Sequence, residues 1–235
     1  MIARPTVTLK LVLLVALCAT SLHAIASDDF PGRAPDRRTL KTQEKVDVLF
    51  EKGEYERALF IYHKELAPLG DKYAQYMVGY MHLAGKGVQR DKAAASAWFR
   101  LAAQREDPLF KRARDDTWNV LDAEEQVQSD KIYIDLRVEC GDATLLASLM
   151  ESDLQILRSR VNPDSLSTNL VDRGGTSRQG ESDRYDYVVE RIEHRMSYLR
   201  QFLASDGLIL AAERDRFDQL EQQVSKEVKA YKADN

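Results

Sequence analysis

Between Ala74 and Ala103 two apolar segments flank a glycine-bracketed loop, and this stretch restricts the fold more than any other. It reads AQYMVGYMHLAGKGVQRDKAAASAWFRLAA. Small residues at Ala74, Gly79, Ala95 and Ala102 let two helices approach closely, where bulkier side chains would hold them apart. Gly85 and Gly87 bracket Lys86 where the chain must reverse, and glycine enters the positive-φ region without steric cost. Asp91 stands where a helix N-cap belongs, offering an oxygen to the free N–H groups of the next turn. Trp98 is then expected to fill the space between this hairpin and its neighbour, burying on the order of 200 Å². The unit implied is an antiparallel pair of helices.

The rest of the chain carries the same helical punctuation. Apolar residues recur at three- and four-residue spacing, with turns at Lys52-Gly53, Leu69-Gly70-Asp71 and Cys140-Gly141-Asp142. The spacing predicts helices over about 39–51, 54–67, 72–84, 91–104, 108–120, 123–139 and 142–160, and no stretch alternates long enough for a strand. Asp122, with Glu125 three residues on, reads as a capping box. Residues 161–182 hold Pro163, Gly174, Gly175 and Gly180 among Ser, Thr, Asn and Asp, which reads as a flexible linker. Beyond it, Tyr185, Val189, Ile192, Met196, Leu199 and Leu203 form a coiled-coil seam. A turn at Ser205-Asp206-Gly207 leads to a second helix with Phe217, Leu220, Val224, Val228 and Tyr231. The C-terminal segment 183–235 is thus an expected helical hairpin, packed either on the preceding helices or on another copy.

The 74–103 segment resembles the Sel-1-like repeat, a tetratricopeptide-type helical repeat. The match rests on Ala74, Gly79, Met81, Gly85, Gly87, Val88, Asp91, Ala95, Trp98, Ala102 and Ala103, with Val78 for the usual Leu and His82 for the usual Tyr. Upstream, Gly53-Glu54-Tyr55-Glu56-Arg57-Ala58 with Tyr62 is similar to the second helix of a related repeat, so the likeness spans about 40–106. It implies an all-α fold, a short solenoid over 39–160. Arrays of this kind need about three units and capped ends. The helices from Pro108 to Arg160 would serve as that cap, with Trp118, Leu121, Ile132, Ile134 and Leu136 covering the last face.

The N-terminus has a different character. Arg4 and Lys10, the apolar run Leu11 to Ala19 and Ala24-Ile25-Ala26 compose a secretory signal over 1–26, with an uncleaved anchor as the alternative reading. A polar arm, 27–38, follows. Cleavage removes Arg4 and Lys10 and no acidic residue, so the formal charge moves from −4 to −6. An acidic chain without a basic cluster argues against nucleic acid. The mature chain is expected in the periplasm, or secreted, with no membrane-spanning segment. It keeps one cysteine, Cys140, and therefore no internal disulfide.

Signatures of catalysis are missing. His63, His82 and His194 have no partner at metal-ligand spacing, so no metal or cofactor is expected. No G-x-S-x-G elbow occurs, and Gly87 follows Lys86 where a phosphate loop requires Ser or Thr. Asp115-Asp116 and Glu124-Glu125 are neighbours pointing about 100° apart on a helix, which suits solvated faces better than acid–base chemistry. The resemblance implies an adaptor, holding a partner protein or peptide in the groove lined by the first helix of each hairpin. Aligned by Val78-Gly79, the groove positions are Tyr73, Tyr76, Tyr80 and Leu83, with Gln43, Asp47 and Phe50 from the preceding unit. Two alternatives remain: self-association through 183–231, and a β-lactamase-like hydrolase. Secreted relatives of the second kind are cysteine-rich, which this chain is not.

Overall fold

The computed structural model describes residues 30–160, 178–205 and 211–234. The expected signal segment, most of the 161–182 linker and the turn after Ser205 lie outside the described residues. Among those described, the fold is all-α. The helices are α1 (Arg37–Glu51), α2 (Tyr55–Ile61), α3 (Lys72–Ala84), α4 (Lys92–Ala102), α5 (Pro108–Trp118), α6 (Ala123–Cys140), α7 (Asp142–Ser159), α8 (Arg178–Ser205) and α9 (Ala211–Asp234). After α2 the chain continues as a π-turn, Tyr62–Leu66, and a 3-10 turn, Ala67–Leu69. None of these helices is long and apolar enough to cross a membrane.

Contacts divide the chain into two compact units. The first holds Lys41–Ala67 and Asp71–Tyr133; the second holds Ile134–Asn235 with Pro31–Leu40 and Pro68–Gly70. Within the first, α3 and α4 form the tightest helix pair, as their small residues require. A Cβ on Gly79 would meet the Phe99 ring at 2.8 Å and the Ala95 carbonyl oxygen at 3.1 Å, so only glycine allows this approach. The loop between the two helices is equally tight. Gly87 has φ 71°, and a Cβ there would lie 2.5 Å from the Tyr55 carbonyl carbon. Helix starts follow sequence chemistry. The Ala74, Ala94 and Leu109 N–H groups donate to Asp71, Asp91 and Asp107 at 2.8–2.9 Å. Asp122 and Glu125 close a reciprocal capping box at 2.9 and 3.1 Å.

Trp98 is 3% exposed and meets His63, in the turn after α2, edge-on at 5.1 Å. It therefore packs α4 against the turn that follows α2. On its other side α4 is tied to α6 by Lys92–Glu125 at 2.7 Å and Arg100–Asp130 at 2.6 Å. The Arg100 guanidinium also lies 4.1 Å from the Tyr133 ring centre and 5.1 Å from that of Trp118.

The second unit corrects the grouping of 142–160 with the repeats, because α7 packs against α8 and α9 instead. Leu146, Met150, Leu154 and Leu157 of α7 are fully buried, as is Ile192 of α8, with Leu199 and Leu220 almost so. The physical reason is that two helices alone leave one side of each apolar seam uncovered, and α7 supplies the third wall. Ion pairs report the directions. Glu151–Arg216 (3.1 Å), Arg158–Glu227 (3.0 Å) and Arg160–Asp234 (3.0 Å) make α7 and α9 parallel. The Tyr231 hydroxyl donates to Asp186 at 2.8 Å and Arg200 donates to Glu221 at 2.9 Å, which makes α8 and α9 antiparallel. The helix α8 begins at Arg178, earlier than the linker reading allows.

This unit also buries charge. Asp153, 3% exposed, accepts from Arg191 at 3.0 Å and pairs with Arg195, which is 4% exposed. Arg195 Nε also donates to the Pro31 carbonyl at 2.9 Å. A second buried pair, Arg137–Glu213, is 3.1 Å long.

Candidate functional site

The groove positions fall on α1 and α3, and the structure treats them unequally. Tyr73 is half-buried and stands edge-on to Tyr62 at 6.2 Å. Tyr62 is 1% exposed and donates its hydroxyl to Asp47 at 2.7 Å, so Asp47 anchors the ring that supports Tyr73. Burial, reinforced by the neighbouring Tyr73 and Asp47, pushes the Tyr62 phenol well above its ordinary range. Gln43 donates to Asp71 Oδ2 at 2.7 Å while the other oxygen of Asp71 caps α3. Phe50 and Leu83 are half-buried.

Tyr76 and Tyr80 are not groove residues. Tyr76 is 2% exposed and its ring sits 5.3 Å from both Phe99 of α4 and Phe110 of α5. Tyr80 is 3% exposed and packs on Phe50 of α1 at 6.1 Å. The expected ridge of three tyrosines thus shrinks to Tyr73. The i, i+3, i+7 spacing predicts one shared side of α3, but Tyr76 packs toward α4 and α5 and Tyr80 toward α1. Tyr76→Ala accordingly removes core packing rather than a partner anchor.

Three features escaped the sequence reading. Lys86 Nζ donates to the Tyr55 hydroxyl at 3.0 Å and lies 4.4, 5.0 and 5.6 Å from the ring centres of Tyr55, Phe50 and Tyr80. Burial works to lower its pKa, but hydrogen bonds and charge from Tyr55 and Tyr80 outweigh it, and the ammonium is held above its usual range. Lys72, 8% exposed, reaches the end of α4, donating to the Leu101 carbonyl at 2.9 Å and to Gln75 and Gln104 at 3.0 and 3.2 Å. The third is the Asp153 cluster. Its signal was present, since Asp153 lies between Met150 and Leu157 on the apolar stripe of α7, and Arg195 between Ile192 and Leu199 on that of α8.

Comparisons with protein-family models, curated proteins and solved structures find no match. Among the described residues no group of three or more His, Cys, Asp or Glu side chains is placed to hold a metal ion. Cys140 is buried.

His82 introduces a pH dependence. Burial lowers its pKa, with Asp91 pulling weakly the other way. The unfolded chain takes up a proton near pH ~6.5 that the folded imidazole resists. Stability is then full above that value and declines as pH falls through it toward the folded pKa. Urea titrations at pH 8 and 5.5 should show this loss, and His82→Gln should reduce it.

Proposed function

We propose that the chain is exported and acts as a protein-binding module, its contact surface being the α1/α3 face around Tyr73. The observation that carries this is the edge-on ring pair Tyr62–Tyr73, anchored by the Tyr62 hydroxyl on Asp47. A partly exposed aromatic ring fixed by a buried neighbour loses little freedom on binding, and such rings dominate interface energetics. Phe50 and Leu83 supply apolar flanks, and Gln43 and Asp47 supply polar groups at one side. The likeness of 74–103 to Sel-1-like repeats supports an adaptor role, and the basic start with its apolar run and Ala24-Ile25-Ala26 supports export. The acidic charge supports a protein or peptide partner rather than nucleic acid. Self-association through 183–231 loses its motivation, since the apolar seam of α8 and α9 is buried within the chain.

The test uses the protein from the envelope fraction. Intact mass should place its first residue at Ser27. Parent, Tyr73→Ala and Leu83→Ala forms then serve as bait in envelope extract, after melts confirm that all three fold. Truncating a true anchor costs ~2 kcal/mol or more, roughly a thirtyfold weakening. The partner held by the parent should fall away from Tyr73→Ala. Full retention by both folded variants would remove the face from consideration.

A further inference from the structure

Three aromatic rings from three helices converge on one ammonium, and that convergence is the feature the fold alone does not require. Phe50 comes from α1, Tyr55 from α2 and Tyr80 from α3, and each ring centre lies within 5.6 Å of Lys86 Nζ. A cation over aromatic faces within about 6 Å is attracted by the ring quadrupoles, most strongly where water is excluded. Arg100 shows the contrast: its guanidinium also meets two rings but is neutralised by Asp130 at 2.6 Å. The Lys86 ammonium is held by tyrosines.

We propose that Phe50, Tyr55 and Tyr80 form a binding site for a quaternary ammonium group, with the Lys86 side chain as its internal competitor. Exchange replaces one cation by another, so the charge inside the cage does not change. A primary ammonium is compact and strongly hydrated. It gains water when it leaves, whereas a trimethylammonium group gives up weaker hydration when it enters. Aromatic cages of this kind are the general solution for recognising such groups. The backbone need not move. Gly87 is wedged against the start of α2, with a Cβ position only 2.5 Å from the Tyr55 backbone, so the loop stays while the flexible lysine stem rotates outward. The cage shares Phe50 with the proposed partner face, but its test uses a small cation and reads the cage without any protein partner.

The probe is choline, with 3,3-dimethylbutan-1-ol as its neutral isostere, titrated by ligand-observed NMR against the full mature chain. Lys86→Ala should bind choline about tenfold more tightly than the parent, the competitor having been removed. The isostere should bind Lys86→Ala about tenfold more weakly than choline does, because it lacks the charge. Adding Tyr55→Ala to Lys86→Ala should abolish the preference, with melts confirming that each variant folds. Equal binding of the two probes by Lys86→Ala, or no binding of either, would overturn the site. So would choline binding by Lys86→Ala with none by the parent, which would leave Lys86 a structural latch.

Discussion

Trp98→Ala should lower stability by ~3–5 kcal/mol, the range for deleting a large buried aromatic side chain. The indole is 3% exposed and lies against His63 in the turn that follows α2. Its loss leaves a cavity that α4 cannot collapse to fill. Ala94, Ala95 and Ala97 have no length to spare, and α4 is already fixed to α6 through Lys92 and Arg100. In a unit of this size each kcal/mol moves the midpoint by several degrees, so melts followed by circular dichroism should show Tm falling by roughly 15–30 °C. A shift of a few degrees would mean that Trp98 does not hold α4 against the turn after α2.

Asp153→Ala should be as costly for a different reason. Deleting one member of a buried ion pair strands the other, at ~3–5 kcal/mol. Arg195 would keep the Pro31 carbonyl but face Arg191 without the intervening carboxylate. The surface pair Lys232–Glu193, 2.8 Å apart with both side chains about half exposed, is the internal control. Glu193→Ala should cost ~0–1 kcal/mol. Urea denaturation of the three proteins measures the contrast. Similar losses for Asp153→Ala and Glu193→Ala would show that the Asp153 cluster is solvated.

Local chemistry explains which parts of this architecture were legible in the chain. Helix ends were readable because caps are short-range: Asp91, and the Asp122–Glu125 box, act within three residues of themselves. The close approach of α3 and α4 was readable because Gly79 and Ala95 have no other reason to be small. The fate of Tyr76 was not, because the ring that covers it, Phe110, lies 34 residues along the chain. Periodicity finds the side of a helix, but how many neighbours cover that side is a tertiary fact. The placement of α7 failed in the same way. Its stripe of Leu146, Met150, Leu154 and Leu157 fits any apolar partner, and only the need of α8 and α9 for a third wall selects one. The Asp153 and Arg195 positions could have been noticed, since complementary charges on two apolar stripes signal that the stripes meet.

Site-specific photo-crosslinking in the living cell tests the proposed α1/α3 contact face most directly. A benzoylphenylalanine placed at Tyr73 or Leu83 should capture one discrete partner of the envelope fraction. The same group at Val138, which is 56% exposed on α6, should not capture it. Absence of an adduct from Tyr73 and Leu83, or the same adducts from Val138, would contradict a partner-binding surface on α1 and α3.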